Sequence, residues 1–487
     1  MGLECKSHNA ATAWFRMADL DLCFTPATEL VRRYRSGEIS PLEVIRNSLD
    51  RIDEVNKILN CFCFTYPDEA LAKARGAEQA FAKGNARPLE GIPLAIKDFT
   101  PTKGKVTTRG SRLLESWVPD WDPVLVQRLE DAGAIMVGKT TTPEFATSGF
   151  TDSPLWGITR NPWNPACTPG GSSGGSGAAV ASGCVPLAEG TDMGGSVRIP
   201  AALCGIVGLK PSLGRIPMDI IDTCFCNISH FGPLTRTVAD ATLFLDTVQG
   251  EHPVDIQSLP PCQLDFPPSG DVKGMKFALD VTLGFCAVDP GVEANLRNTA
   301  NALQDAGAVI EEVDLGWDKR IIDLWYGTWG IFMAAAYRQV TDKPLDENRE
   351  RMSEGLVMLI EMGQQTDAVT ARQWEFERTR YWHKLGAVLE DHHALLCPTM
   401  AITAPLVEMR DWDFGNVNEQ GLSEYMDMTG SFNYTAQCPA ISVPSGFADG
   451  LPTATQIVAR RWDDNLALRI AAAVEKVLPW AHRYPDI

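Results

Sequence analysis

Two glycine- and serine-rich segments lie close together between Thr168 and Ala201. They are Pro169-Gly170-Gly171-Ser172-Ser173-Gly174-Gly175-Ser176-Gly177 and Gly190-Thr191-Asp192-Met193-Gly194-Gly195-Ser196-Val197-Arg198. Glycine at this density costs backbone entropy, so it belongs where the chain must approach a ligand closely or adopt positive φ. A flexible linker does not fit, because the apolar run Ala178-Ala179-Val180-Ala181 follows at once and would be wasted there. A phosphate-cradling loop does not fit either: it needs Lys-Ser/Thr directly after its last glycine, and Gly177 is followed by Ala178. The dinucleotide fingerprint also fails, since no strand-like run leads straight into Gly170.

The flanking chain alternates helices with short apolar strands. Ser40 can cap a helix that starts at Pro41, with Glu43 placed to reach back to the cap amide, and Leu42, Ile45, Leu49 and Ile52 form one stripe. A second, Ala-rich helix spans about Asp68 to Lys83 and stops at Gly84. Ile92-Pro93-Leu94-Ala95-Ile96 then reads as a strand delivering Lys97 and Asp98 at its carboxyl end. Asp122 to Asp131 is helical, and Ala134-Ile135-Met136-Val137 is the next strand. This alternation predicts an α/β fold: a large mixed, mainly parallel sheet covered by helices on both faces. Prolines 253, 260, 261, 267 and 268 mark an irregular connection. It leads to a strand-helix-strand unit over Met275 to Asp280, Gly291 to Ala306 and Ala308 to Val313.

At 487 residues the chain exceeds the roughly 250 to 300 at which one core usually stops growing, so two domains or one large sheet with insertions is expected. The net charge of −19 repels nucleic acid and anionic membrane surfaces alike. Met1 to Phe15 holds no apolar stretch long enough for a signal peptide, Met17 offers an internal start, and no segment reaches the ~18 apolar residues of a membrane span. The cytoplasm is the expected compartment. Thirteen scattered cysteines read as reduced thiols, and the C-x-C pairs Cys61/Cys63 and Cys224/Cys226 as neighbours on one face of a strand; neither has a second pair or histidine at metal-ligand spacing. No metal and no cofactor is expected.

Both loops resemble the amidase signature family, whose hallmark is G-G-S-S-G-G-S followed by G-[ST]-D-x-G-G-S-[IV]-R-x-P-A. This chain has both, ending in Val197-Arg198-Ile199-Pro200-Ala201, with Ser172 and Ser196 separated by the family's 24 positions. Gly91-Ile92-Pro93-Leu94-Ala95-Ile96-Lys97-Asp98, Gly205-Ile206-Val207-Gly208-Leu209-Lys210-Pro211, Gly232-Pro233-Leu234-Thr235-Arg236 and Cys438-Pro439-Ala440-Ile441-Ser442-Val443-Pro444 are similar to further family segments. The resemblance spans about Thr25 to Val477. It implies an N-terminal extension over 1–24 and one domain over 25–487, with 251–316 as a peripheral elaboration and 317–390 as a variable helical region on the substrate side.

The resemblance implies an amidase in which Ser196 is the nucleophile. Ser172, after a cis bond to Gly171, relays the proton to a neutral Lys97. A serine hydroxyl is inert at its own pKa and needs such a base, and burial beside Ile96 can strip the lysine of its proton. By the same resemblance Met193, Gly194 and Gly195, with Ser196, supply oxyanion donors, and Ser173, Asp192 and Arg198 brace the loops. A histidine-based triad competes poorly: His8, His252 and His482 lie in terminal or loop-like segments, His383 in a helix, His392 and His393 beside a late strand, and no G-x-S-x-G surrounds Ser229-His230.

Trp325, Tyr326, Trp329 and Phe332 recur at helical spacing; core packing accounts for that, and a pocket for a hydrophobic or aryl substrate is the other reading. Phe150, Leu155 and Trp156 are comparable pocket candidates. Leu451-Pro452-Thr453-Ala454-Thr455-Gln456 departs from the family's usual Leu-Pro-Val-Gly-Leu-Gln by adding two hydroxyls to a strand. Two functions remain: a stand-alone hydrolase of small amides, anilides, esters or carbamates, or the glutaminase subunit of an RNA-dependent amidotransferase. The latter usually has Gln-Pro-Ala after the arginine, where this chain has Ile199-Pro200-Ala201. The expected partner is a small-molecule amide, with no nucleic acid and no membrane, and with a homodimer left open.

Overall fold

Residues 17–435 and 437–487 are described by a computed structural model. The expectations for Met1 to Phe15, including Cys5 and His8, lie outside the described residues. The helix opening at Ser40 runs Pro41–Leu59, and Ser40 Oγ accepts from Glu43 N at 3.2 Å; only the serine half of the expected capping box is present. Ile45 and Ile52 are buried, while Leu42 and Leu49 are half-buried against the same cluster. Upstream, the short helix Leu20–Cys23 is tied to this one by Asn47 Nδ2, which donates to Asp19 O at 3.0 Å.

Thirteen strands are formed among the described residues: β1 Phe62–Thr65, β2 Pro93–Lys97, β3 Ile135–Thr140, β4 Asp152–Ser153, β5 Gly157–Ile158, β6 Leu187–Asp192, β7 Val207–Lys210, β8 His230–Thr235, β9 Lys276–Leu279, β10 Val309–Glu312, β11 Ala394–Pro398, β12 Ala440–Ala448 and β13 Leu451–Ala459. Eleven join one mixed sheet in the order β1-β3-β2-β6-β8-β7-β12-β13-β11-β9-β10, and β4 and β5 form a separate hairpin. The parallel pairings fall in two blocks, β3-β2-β6 and β11-β9-β10; the strands between them pair antiparallel. The unit over 275–313 therefore extends the main sheet at one edge: β9 and β10 with helix Pro290–Asp305 between them.

Both faces of the sheet are covered, which is why inner strands such as β2, β3 and β11 are buried along their whole length. Along β2, Leu94 and Ile96 enter a cluster with helices Val238–Val248 and Asp464–Val477, whereas Ala95 faces helices Pro41–Leu59 and Gly174–Ala181. At the other end of the sheet, Leu395, Cys397, Ala440 and Val458 pack against helices Arg320–Val340, Glu354–Gln365 and Ala368–Asp391. The two hydroxyls added to β13 are both buried. Thr453 Oγ1 accepts from Asn295 Nδ2 at 3.0 Å and lies 3.1 Å from Ser445 Oγ, whereas Thr455 Oγ1 has no partner among the described residues. One expectation is corrected: Cys224 and Cys226 lie in an irregular loop, not on a strand, because their carbonyls are taken by the Gln257 side-chain amide at 3.0 and 2.9 Å instead of a strand ladder.

Candidate active site

β2 ends at Lys97, so a parallel strand delivers this amine at the carboxyl edge of the sheet, where crevices form in α/β folds. Its neighbour β6 presents Glu189 and Thr191, two residues apart and hence on one face, toward the same point. Lys97 is fully buried; its Nζ lies 2.6 Å from Ser172 Oγ and donates to Thr191 Oγ1 at 2.9 Å. Burial pushes its pKa down from 10.5 to about 7, against the opposing pull of Glu189 and Asp192. Glu189 is itself raised by burial and held back by the Lys97 backbone N–H, which donates to Oε2 at 3.0 Å, and by the Lys97 charge.

Ser172 sits just before helix Gly174–Ala181, and the Gly171–Ser172 peptide bond is cis. That helix meets the residue just after β3 backbone to backbone: a Cβ at Gly175 would lie 2.5 Å from Thr141 N and 2.6 Å from its carbonyl oxygen, so only glycine permits the approach. The second loop leaves β6 and turns at Gly195, whose φ of +121° no L side chain adopts readily and whose Cβ would fall 1.8 Å from Thr429 Oγ1. The two loops are stitched together where Ser173 N donates to Ser196 O at 3.2 Å.

A buried ion pair fixes the shape of the second loop. Arg198 donates from Nε to Asp192 Oδ2 at 3.0 Å and from Nη2 to Oδ1 at 2.9 Å, and its remaining donors reach Thr429 O, Gln456 Oε1 and Asn433 Oδ1. Burial would raise the Asp192 carboxyl, but Arg198, Lys210 and Asn433 together hold it well below the usual carboxylate range. Asp192 also accepts from the amides of Gly195 at 2.8 Å and Val197 at 3.2 Å. This corrects one expectation: the Gly195 N–H is spent on Asp192 and does not point at a substrate. Among the described residues, no acceptor meets the backbone N–H of Met193, Gly194 or Ser196.

Ser196 is half-buried and opens on two adjoining cavities. The larger, about 420 Å³, is walled by Trp325, Tyr326, Trp329, Trp412, Phe414 and Tyr425, with Met358, Leu359 and Met362. The smaller, about 60 Å³, has Ser172 and Thr191 in its wall beside Ser196. Two serines, a buried amine of lowered pKa and unpartnered amides around an apolar cavity suit acyl transfer. A family model described as Amidase matches residues 43–468.

The chain belongs to the amidase family. Amidases hydrolyse amides, and this one is 36% identical to an acylamidase of Rhodococcus erythropolis over 475 residues, 96% of this chain and 98% of that one. It is 32% identical to a glutamyl-tRNA(Gln) amidotransferase subunit of Chloroflexus aurantiacus over 473 residues, 93% of this chain and 96% of the other. Its fold matches a solved bacterial aryl acylamidase of the amidase signature family with a TM-score of 0.88 and 30% identity, covering 94% and 97% of the two chains. No described helix of the amidase is long and apolar enough to cross a membrane.

Of the residues named from sequence, the amidase brings together Lys97, Ser172, Ser173, Asp192, Met193, Gly194, Gly195, Ser196 and Arg198. The Trp325–Trp329 helix face does more than pack a core. Both indoles line the large cavity, stacked at 4.9 Å, and Trp325 Nε1 donates to Met193 O at 3.2 Å. Phe150, Leu155 and Trp156 do not line it. Phe150 is buried against Phe414, and Leu155 and Trp156 sit in the β4–β5 hairpin, where Trp156 Nε1 donates to Thr108 Oγ1 at 2.9 Å and its ring meets Phe64 edge-on. Nor does His230 face a serine; its Nδ1 meets the Asp192 carbonyl at 3.2 Å and burial pushes it well below its usual value.

Sequence reasoning passed over Glu189 and Thr191, although their period-two spacing with the strand end was a usable signal. It also passed over Asp411 and Asp427, two carboxyls in the large cavity's wall. Withdrawal from water pushes both upward, and hydrogen bonds restrain them: Ser148 Oγ at 2.6 Å and Gly149 N at 2.9 Å on Asp411, Thr429 N at 3.0 Å and Oγ1 at 2.6 Å on Asp427. Asp411 opens the single 3-10 turn Asp411–Asp413 and Asp427 lies in an irregular segment, so neither has a periodicity to single it out.

Proposed function

We propose that the chain hydrolyses the C–N bond of small amides bearing a hydrophobic or aryl group, through an acyl-enzyme on Ser196. The observation behind this is the 2.6 Å contact between a fully buried Lys97, its pKa lowered to about 7, and the Oγ of Ser172, which lines the same cavity as Ser196. In the neutral state Lys97 takes the Ser172 proton while Ser172 takes that of Ser196, as Ser196 Oγ bonds to the carbonyl carbon. The carbonyl oxygen becomes an oxyanion and receives the free amides of Met193, Gly194 and Ser196; with Gly195 occupied by Asp192, the donor set is the one on either side of it. Return of the proton from Lys97 through Ser172 to the nitrogen lets the C–N bond break and the amine leave. Water then attacks the Ser196 ester by the same relay.

The aromatic wall of the large cavity supports an aryl or long apolar group in the substrate. The acylamidase and aryl acylamidase likenesses support the same class. Ile199-Pro200-Ala201 after Arg198 favours a chain that works alone over one that works inside an amidotransferase complex. The test is turnover by the purified single chain on a panel of amides, anilides, esters and carbamates, beside Ser196→Ala. Anilide hydrolysis lost in the variant is the expected result; turnover that survives Ser196→Ala removes the nucleophile, and turnover that requires added protein partners removes the stand-alone reading.

A further inference from the structure

The small cavity beside Ser196 contains one charged group that the chemistry above does not use. Arg109 lines it together with Phe99, Ile220, Phe332 and Met333. Its backbone is in the left-handed region, φ 52°, an uncommon conformation for a side chain of this size. Two hydrogen bonds enforce it: Arg109 N donates to Asp98 O at 2.9 Å, next to Lys97, and Phe145 N donates to Arg109 O at 2.7 Å. The guanidinium is thereby held between two rings, 5.0 Å from the centre of Phe99 and 5.2 Å from that of Trp117.

What sets Arg109 apart is its lack of partners. Other buried cations among the described residues have partners: Arg198 and Arg215 pair with Asp192 and Asp464, Lys139 meets Asp98 and Thr100, and Arg236 meets three backbone carbonyls. Among the described residues Arg109 has a single long hydrogen bond, Nη2 to Ile220 O at 3.4 Å, and its Nε–H is buried with no acceptor. Two carboxylates contribute to its field. Asp98 is engaged by Lys139 and Thr108, and Asp222 lines the same cavity without forming an ion pair with it. A buried guanidinium donor left open is costly, and a polar group brought into the adjoining cavity, a water or a ligand acceptor, would offset that cost.

We propose that this cavity is a second substrate subsite, in which Arg109 receives a carboxylate at the end of the shorter arm of the amide. The inference rests on the proposed hydrolysis at Ser196. Ala146, Met193, Ser196 and Trp329 line both cavities, so Ser196 stands at their junction and a bound amide extends into each. The large cavity accepts the aryl or long apolar arm. The small one, about 60 Å³, has room for roughly four to six waters, which fits a short chain of a few heavy atoms ending in a carboxylate. The wall is mixed, with Phe99, Ile220 and Phe332 beside Thr191, Ser229 and Asp222, and the Arg109 guanidinium, 5.0 and 5.2 Å from two ring centres, offers a planar fork to a planar anion. Arg109 is here a specificity-determining residue and takes no part in proton transfer.

The test measures binding apart from turnover. N-phenylsuccinamate, with the carboxylate on the acyl arm, N-benzoyl-β-alanine, with it on the amine arm, and neutral N-phenylbutanamide are titrated calorimetrically into the Ser196→Ala chain, with Arg109 intact and as Arg109→Met or Arg109→Lys. One of the two carboxylates should bind at least about tenfold more tightly than the neutral amide, and Arg109→Met should abolish that preference. Arg109→Lys, which retains the charge and loses the fork, should keep part of it, and decides the matter if the methionine variant does not fold. Equal affinities, no binding of either carboxylate, or a preference that survives both substitutions overturns the subsite. A wild-type chain that binds the carboxylate with this Arg109 dependence yet hydrolyses none of the three amides retains the subsite and overturns the hydrolysis instead.

Discussion

Replacing Lys97 by methionine, a side chain of similar length without the amine, should damage activity and raise stability at the same time. The wild-type amine is moved from 10.5 to about 7 by burial, so at neutral pH the unfolded chain holds a proton that the folded chain partly releases. At about 1.4 kcal/mol per unit of pKa, that penalty is about 4 kcal/mol at pH 7. The substitution removes it but leaves Ser172 Oγ and Thr191 Oγ1 without the amine that meets them at 2.6 and 2.9 Å. Each such loss costs about 1 kcal/mol. Net stabilisation of about 2 kcal/mol is expected at pH 7. The sign reverses with pH: the folded value lies below the unfolded one, so wild-type stability climbs between about 7 and 10.5 while that of the variant does not. Urea unfolding at pH 7 and pH 9.5 should show the variant's advantage shrinking by about 3 kcal/mol. In parallel, wild-type kcat/KM on an anilide should rise as pH passes through about 7 and the base becomes neutral, and the variant should lose roughly 10² to 10⁴ of it. A stability difference that does not move with pH, or a rate profile with no ascending limb near neutrality, would mean that Lys97 stays charged when buried, and the relay would fall with it.

Three further outcomes are expected. Arg198→Met leaves the Asp192 carboxylate buried and uncompensated, which should cost about 3 to 5 kcal/mol in urea unfolding, with part recovered by the Asp192→Asn/Arg198→Met double variant; equal losses in single and double variants would deny the pair its role. Gly195→Ala places a Cβ 1.8 Å from Thr429 Oγ1 at a φ of +121° and should lower kcat at least about 100-fold with a native circular dichroism spectrum, so unchanged turnover would show the loop to be more pliable than its contacts imply. Trp325→Ala removes the Trp329 stack and the bond to Met193 O, and should reduce kcat/KM for an anilide about 10- to 100-fold relative to acetamide; a uniform loss on both substrates would remove the aromatic wall from specificity.

Local and repetitive features were legible in the chain itself. A three-to-four-residue hydrophobic period and a cap located the helix at Pro41–Leu59, and a short apolar run the strand at Pro93–Lys97, because both signals depend only on near neighbours in the chain. Glycine spacing marked both loops, because close backbone approach excludes every other residue, as Thr141 does at Gly175 and Thr429 at Gly195. Period-two spacing could not say which cysteines lie on strands: Cys63 does and Cys61 falls just before β1, whereas the Cys224 and Cys226 carbonyls are claimed by Gln257, 33 and 31 residues away.

The primary structure thus determined which atoms of the site exist: an amine at a strand end, two serines in glycine-rich turns, and an aromatic helix face. Only the tertiary structure decided what each of them meets. It turned the Gly195 amide to Asp192 and away from the substrate, seated Trp325 over Met193 and left Phe150 and Trp156 elsewhere, and put Asp411, Asp427 and Arg109 in cavity walls. The reason is physical: the donor and acceptor capacity of a group belongs to its residue type, but whether that capacity is spent or left open depends on partners brought from distant parts of the chain, and on how much water the packing around them excludes.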